Sequence, residues 1–207
     1  MKIALIGATG FIGSALRKEA LARGHAVTAL VSRPERLTEE PRLKVLQSDA
    51  RKPELLAPQL EGHDLAISAF SGHGDSDVYG YYMQGVRSII EAARRARLPR
   101  LLVVGGAGSL EVSPGVTLID TPQFPKEYKA TAEGARDALK LLRSQADLDW
   151  TMLSPAPVIR PGERTGKWRV GGDRLLGDEI SVEDYAAAML DEAEKPAHRR
   201  ERFTVAY

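Results

Sequence analysis

The chain has 207 residues, 43% of them hydrophobic, and its 29 Lys and Arg residues nearly balance its 28 Asp and Glu residues. This length and composition predict one globular domain, and the balanced charge gives no reason to expect a nucleic-acid or membrane partner. The absence of cysteine excludes disulfides, thiolate nucleophiles and cysteine-ligated metal centres. No apolar run approaches the roughly 18 residues of a membrane span, and the N-terminal segment is too short for a signal peptide, so we expect a soluble, cytoplasmic protein.

Short apolar runs alternate with helical patterns along the whole chain. Such runs are typical of strands that are buried on both faces, as in a parallel sheet. The predicted strands are Ile3–Ile6, Val27–Val31, Val45–Leu46, Leu65–Phe70, Leu101–Val104 and Trp150–Leu153, with a last one around Phe203–Val205.

The segments between these runs place apolar residues at helical spacing. The predicted helices include one that begins near Ile12 and stops at Gly24, one through Val86–Ala93 and one through Ala132–Leu142. Ser181 and Asp184 have the spacing of a capping box, which predicts a further helix that ends near Glu194. Because parallel strands need crossover connections, the alternation predicts an α/β fold: a doubly wound parallel sheet (a Rossmann fold) with helices on both faces.

Two stretches depart from this alternation. Residues 105–125 and 155–177 are rich in Gly, Ser and Pro, so they are predicted to be loops, with a short extended piece at Val116–Ile119. Both follow predicted strands at their C-terminal ends, where open α/β sheets bind ligands. We therefore expect a single domain, residues 1–207, in which these two loops form the substrate side.

A glycine-rich segment, Gly7-Ala8-Thr9-Gly10-Phe11-Ile12-Gly13, lies between the first predicted strand and the first predicted helix. One glycine permits the tight turn, another lets a diphosphate approach the backbone, and the third lets the helix pack on the strand. The free amides at the helix start then hold the phosphates. This pattern predicts a dinucleotide site formed by Gly7, Thr9, Gly10, Phe11, Ile12 and Gly13.

The end of the second predicted strand bears on which dinucleotide binds. A site that prefers NAD places Asp or Glu there to accept from the ribose 2′-hydroxyl. This chain has Ser32, Arg33 and Pro34 instead, and the guanidinium of Arg33 suits a 2′-phosphate. The alternative is that Arg33 only opens the next turn. We predict NADP as the coenzyme, with NAD as a second possibility.

The G-x-x-G-x-x-G spacing resembles the atypical and extended short-chain dehydrogenase/reductase proteins, particularly the small NAD(P)-binding group that includes NADH-flavin reductases and biliverdin reductase B-like enzymes. Further segments that resemble this group are Asp149–Pro155, Pro161–Gly166, Ile180–Ala186 and Arg202–Tyr207. The resemblance implies an NAD(P)H-dependent oxidoreductase. It also implies that Asp49 and Ala50 lie near the adenine, and that Ser68, Ala69 and Phe70 lie beside the ribose.

The larger family uses a Tyr-x-x-x-Lys motif in which the tyrosine delivers a proton. In this chain the family's lysine falls on Lys129, but the tyrosine position falls on Pro125, which has no proton to give. Lys129 could still bind the nicotinamide ribose. Tyr128 could line the pocket or replace the donor, or it could simply be a half-buried aromatic at a helix start.

Two further side chains are candidates for contact with the substrate. Ser109 follows the fifth predicted strand and could supply a catalytic hydroxyl, and His73 follows the fourth and is either a substrate contact or a surface residue. The four histidines show no metal-ligand spacing, and Asp75 and Asp77 lack the rest of a calcium loop, so no metal is predicted.

Loss of the tyrosine affects ketone reduction more than flavin reduction, because a carbonyl needs a proton donor whereas a flavin spreads the developing charge over its own ring. We therefore expect hydride transfer from NADPH to a small-molecule acceptor, a flavin or similar planar molecule that binds as a substrate and not as a prosthetic group. The alternative is a non-catalytic NADP(H) sensor. A sugar-nucleotide epimerase is disfavoured because such enzymes usually keep the tyrosine and carry a larger substrate lobe.

Overall fold

The computed structural model describes all residues, 1–207, and is built around one eight-stranded sheet. Its strands are β1 (Lys2–Ile6), β2 (Ala26–Val31), β3 (Leu43–Gln47), β4 (Leu65–Ser68), β5 (Leu101–Val104), β8 (Trp150–Ser154), β10 (Arg169–Gly171) and β12 (Glu201–Ala206). Two small two-stranded sheets pair β6 (Glu111–Ser113) with β7 (Val116–Thr117), and β9 (Val158–Arg160) with β11 (Glu179–Ser181).

The strand order of the large sheet is β3-β2-β1-β4-β5-β8-β12-β10. All neighbours are parallel except β10, which runs antiparallel to β12 at the edge. The order reverses at β1 and β4, so the C-terminal ends of these two strands frame the crevice in which such sheets bind ligands. The predicted doubly wound α/β fold is confirmed.

Five α-helices cover the sheet: α1 (Phe11–Ala22), α2 (Pro53–Leu60), α3 (Val78–Arg95), α4 (Lys129–Arg143) and α5 (Val182–Glu194). Helices α1 and α5 pack together on one face, and α2, α3 and α4 pack in a row on the other. None of the helices is both long and apolar enough to span a bilayer.

The two faces bury separate apolar clusters, because each strand side chain points to the face opposite its neighbour. Leu16 of α1 and Tyr185 of α5 belong to one cluster, and Leu56 of α2 and Trp150 of β8 belong to the other. The sheet is thus covered on both sides, which leaves its C-terminal edge as the open side.

The two predicted loops contain more regular structure than their composition indicates. Strands β6 and β7 form a hairpin in the first, and the predicted extended piece ends at Thr117 because Leu118–Asp120 is a 3₁₀ turn. The second loop contributes β9 and β10. The loops are joined, since Glu111 N donates to the Asp173 carbonyl at 2.8 Å.

Candidate functional site

The turn after β1 requires glycine at two of its positions. Gly7 has a φ of +80°, and a Cβ there would lie 2.6 Å from the carbonyl oxygen of Ala69. A Cβ on Gly13 would overlap the carbonyl oxygen of Gly7, so only glycine lets α1 pack this closely on the turn. Both residues are therefore needed to build the turn, whether or not a ligand is bound.

Gly10 differs from these two glycines. Its φ is −72°, and the nearest atom to a Cβ built there is 3.5 Å away, so the protein itself leaves room for a side chain. Gly10 is the N-cap of α1, and no side chain caps the helix. The amides of Phe11, Ile12 and Gly13 lie in the first turn of a helix, where they have no intrahelical acceptor. An open, uncapped helix start of this kind suits a diphosphate group.

A groove of about 510 Å³ adjoins this turn on the α1/α5 face. It runs from Thr9 and Phe11 along α1 toward Arg164, whose guanidinium donates to Glu19 at 2.7 Å. This ion pair ties the segment after β9 to α1.

The structure places Arg33 directly after β2, at the start of a short 3₁₀ turn over Pro34–Arg36. The Arg33 side chain is exposed and makes no ion pair within the chain. Arg36 ends the same turn and is also exposed. Two exposed guanidinium groups thus lie in this turn, with the exposed Glu35 between them, and no carboxylate occupies residues 32–34.

The residues after β3 form a compact polar cluster. The backbone N and the guanidinium of Arg51 donate to Asp49 at 3.0 to 3.1 Å, and Ala50 between them is buried. Burial by itself raises the pKa of Asp49, but the hydrogen bonds from Arg51 outweigh it and hold that pKa below its ordinary value. The Arg51 guanidinium also lies 4.6 Å from the ring centroid of Tyr81 in a cation–π contact.

The backbone after β4 lies against the glycine turn, as the contact of Ala69 with Gly7 shows. Ser68 is buried and pairs with Ile6 of β1. The Phe70 ring stacks on Tyr81 and on Tyr82 of α3, with ring centroids 5.6 Å and 6.2 Å apart. Phe70 therefore supports the crevice through its backbone and anchors α3 through its side chain.

The first turn of α4 lies beside the loop after β4. Lys129 is the first residue of α4 and is exposed, and the Tyr128 side chain before it is 59% exposed with no hydrogen-bond partner. The hydroxyl of Thr131 lies 3.4 Å from Nε2 of His73, so the structure brings His73 to the same place as Tyr128 and Lys129. Pro125 precedes them as the N-cap of a 3₁₀ turn.

Ser109 is engaged elsewhere. Its hydroxyl accepts from Arg202 at 2.7 Å, and Arg202 also donates to Asp173 at 2.7 Å. Arg202 pairs with Met152 in the middle of β8, so this cluster lies on the flank of the sheet and not at its C-terminal end. The Ser109 hydroxyl thus takes part in the packing of the two loops, and its catalytic role stays a prediction.

Two features of this edge were missed by the sequence analysis. One is Arg51, for which the carboxylate two residues earlier was the available signal. The other is Tyr82, which belongs to an aromatic cluster that begins α3 well before the apolar pattern at Val86. Because Tyr79, Tyr81 and Tyr82 are not aliphatic, the helical pattern was recognised only from its later turns.

A glycine turn of this geometry, placed between β1 and α1 at the reversal point of a parallel sheet, defines the class of dinucleotide-binding α/β proteins. The family model described as NAD(P)H-binding matches residues 7–196 of the chain. The chain belongs to this family, and its architecture is an NAD(P)H-binding oxidoreductase fold.

Similar proteins agree with this assignment along the whole chain. YwnB of Bacillus subtilis is 42% identical over 213 residues, which cover 99% of this chain and 98% of that protein. The structure of a candidate epimerase from Bacteroides thetaiotaomicron has a TM-score of 0.93 and 42% identity, covering 100% of this chain and 96% of that one. That of a candidate NADH-flavin reductase from Streptococcus pneumoniae has a TM-score of 0.89 and 36% identity, covering 99% and 98%.

Proposed function

We propose that the protein is an NADPH-dependent reductase that passes a hydride to a planar acceptor, with a flavin bound as a substrate as the acceptor that fits best. The observation that carries this proposal is the start of α1: an uncapped helix terminus with open space at Gly10. When bound there, the reduced coenzyme would supply the hydride.

Each part of the coenzyme has a partner in this proposal. The first-turn amides of α1 would hold the diphosphate, and the free guanidinium of Arg33 would hold the 2′-phosphate. Asp49 and Ala50 would lie beside the adenine. The residues Ser68–Phe70 would form the wall along the ribose, and Lys129 would donate to the hydroxyls of the nicotinamide ribose.

A flavin fits better than a ketone because Pro125 stands at the position of the family's proton donor. A ketone reductase needs a group that protonates the developing alkoxide. A flavin spreads that charge over its own ring, so the chain has mainly to hold the two rings at reactive distance. The name of the Streptococcus pneumoniae relative supports a flavin acceptor. The name of the Bacteroides thetaiotaomicron relative points to an epimerase, which we disfavour for want of the tyrosine.

The second candidate function is a sensor that binds NADP(H) without turnover. Pro125 also favours this function, since a site without the proton donor can bind the coenzyme as well as one that has it. The expected cytoplasmic location and the absence of a nucleic-acid or membrane partner remain predictions under both functions.

Anaerobic mixing of the purified protein with NADPH and FMN separates the two functions. A reductase consumes NADPH in step with bleaching of the flavin absorbance, whereas a sensor binds NADPH in calorimetry and leaves both absorbances unchanged. If neither NADPH nor NADH binds to the protein, both the reductase and the sensor are overturned. The Gly10→Val variant, which places a side chain where the diphosphate would lie, is the matched control.

A further inference from the structure

Tyr82 lies between the segment after β4 and helix α4, and α4 in turn contacts the segment after β5. Its ring stacks on Phe70, which follows β4, and its Cδ1 atom lies 2.9 Å from the place of a Cβ on Gly134 of α4. The next residue of α4, Ala135, approaches Gly106 after β5 to 3.0 Å, measured from the place of the Gly106 Cβ. Tyr82 is therefore held from two sides at the C-terminal edge of the sheet.

The hydroxyl of Tyr82 has no hydrogen-bond partner, although only 9% of the residue is exposed. The hydroxyl keeps a small solvent-accessible area, because it is absent from the fully buried polar atoms that lack a partner. Burial raises the pKa of Tyr82 to about 12. The phenol consequently keeps its proton throughout the neutral range, which makes it a hydrogen-bond donor without an acceptor.

Two other tyrosines near this edge, Tyr185 and Tyr79, have acceptors within the chain, whereas the half-buried Tyr81 has none. The hydroxyl of Tyr185 donates to the Leu153 carbonyl at 2.7 Å, and that of Tyr79 donates to Asp137 at 2.9 Å. A hydroxyl donor with no acceptor in the chain, on a residue that is 9% exposed, is available to a molecule that binds at this edge.

We propose that Tyr82 is a catalytic residue whose hydroxyl donates a hydrogen bond to the acceptor atom on which negative charge develops. The inference rests on the proposed function. The hydride leaves C4 of the nicotinamide with its electron pair and bonds to the acceptor, which is reduced as the coenzyme is oxidised. The Tyr82 O–H bond stays intact, and water supplies the proton that completes the reduced acceptor. The donor thus stabilises charge in place of the phenol that is missing at Pro125.

The Tyr82→Phe variant tests this role because it removes the hydroxyl and keeps the stacked ring. With NADPH and FMN we expect kcat to fall by about tenfold to a hundredfold, since a donor in a water-poor site acts mainly on the transition state. Affinity for NADPH, measured by calorimetry, should stay within about twofold of the unchanged protein. Tyr81→Phe is the matched control, because the Tyr81 ring also stacks on Phe70, and it should keep its kcat.

A second measurement covers the case in which the protein binds NADPH but does not turn over. Oxidised FMN is then titrated into the protein loaded with NADP⁺, and Tyr82→Phe should weaken its binding by about threefold to tenfold. If the protein turns over, an equal kcat in Tyr82→Phe and the unchanged protein would overturn the role of Tyr82. If it binds NADPH without turnover, an equal affinity for FMN in the two proteins would overturn that role. Failure of the unchanged protein to bind NADPH would instead overturn the proposed function.

Discussion

At the scale of single residues, the three glycines of the first turn have different physical reasons. Gly7 and Gly13 are fixed by contacts within the protein, because a Cβ on either would strike backbone atoms. Gly10 has neither a positive φ nor a close contact to account for it. The sequence motif predicts three roles without saying which glycine has which, and the coordinates separate the two glycines that build the turn from the one that leaves space for a ligand.

The first prediction follows from this difference. Gly10→Val should weaken NADPH binding by about tenfold or more, because the side chain enters the space of a charge-assisted contact, and it should barely change the free energy of unfolding. Gly13→Ala should instead lower the free energy of unfolding by about 3 kcal/mol or more, since the methyl group overlaps a backbone oxygen. Calorimetric titration and urea denaturation of both variants check the pair. Equal loss of stability in the two would contradict the assignment.

The second prediction concerns the choice of coenzyme. Arg33→Ala should reduce NADPH affinity by about tenfold to a hundredfold and leave NADH affinity nearly unchanged, because only NADPH carries the phosphate that the guanidinium would bind. Arg36→Ala, at the other end of the same 3₁₀ turn, is the comparison variant. If Arg36→Ala lowers the NADPH preference and Arg33→Ala does not, the phosphate contact belongs to Arg36.

At the scale of elements, the start of α5 organises the loop after β9. Ser181 caps the helix by accepting from Asp184 N at 3.0 Å, as predicted, but the reciprocal bond of a capping box is absent because Ser181 N donates to the Tyr207 hydroxyl. The buried Asp184 carboxylate accepts in turn from Thr165 at 2.5 Å, from Gly166 N at 2.9 Å and from the Tyr207 hydroxyl at 2.8 Å. One carboxylate at a helix start thus holds the loop of residues 155–177 and Tyr207 together.

The third prediction tests this cluster. Asp184→Asn keeps the shape but loses the charge that strengthens three hydrogen bonds, so we expect the free energy of unfolding to fall by about 2 kcal/mol. Asp191→Asn is the control on the same helix, because Asp191 is half exposed and its ion pair with Arg23 should contribute less than about 1 kcal/mol. Urea denaturation measures both, and similar losses would show that burial of Asp184 is not what matters.

At the scale of the whole molecule, two buried carboxylates, those of Glu19 and Glu192, link separate elements through ion pairs. Glu19 of α1 accepts from Arg23 at 2.8 Å and Arg164 at 2.7 Å, and Glu192 of α5 accepts from the buried Arg100 at 2.5 Å. Burial by itself raises the pKa values of Glu19 and Glu192, but their hydrogen bonds and cationic partners hold these pKa values below the ordinary range. The folded state therefore favours the ionised form of each.

The fourth prediction is a loss of stability in acid. Below the unfolded-state pKa of about 4, the unfolded chain binds more protons than the folded one, so the free energy of unfolding should fall as pH decreases through the lowered folded pKa values. Urea denaturation from about pH 7 to about pH 3 measures this. Glu19→Gln should have a lower free energy of unfolding than the unchanged protein at neutral pH, and this difference should become smaller in acid. A difference that stays constant with pH would contradict the link between the lowered pKa of Glu19 and stability.

The sequence by itself determined the alternation of strands and helices, the glycine turn and the cap of α5. These features depend on local spacing, and hydrophobic periodicity and backbone sterics act within a few residues. The fold class was recovered for this reason, although the aromatic first turns of α3 and the edge strand β10 were not recognised.

Only the tertiary structure decided which candidate side chains meet. It places His73 beside the start of α4 and bonds the Ser109 hydroxyl to Arg202. It also leaves the Tyr82 hydroxyl without a hydrogen-bond acceptor in the chain. These contacts join residues that lie 58 and 93 positions apart in the chain. They depend on where strands of a twisted sheet end relative to one another, which residue spacing does not encode.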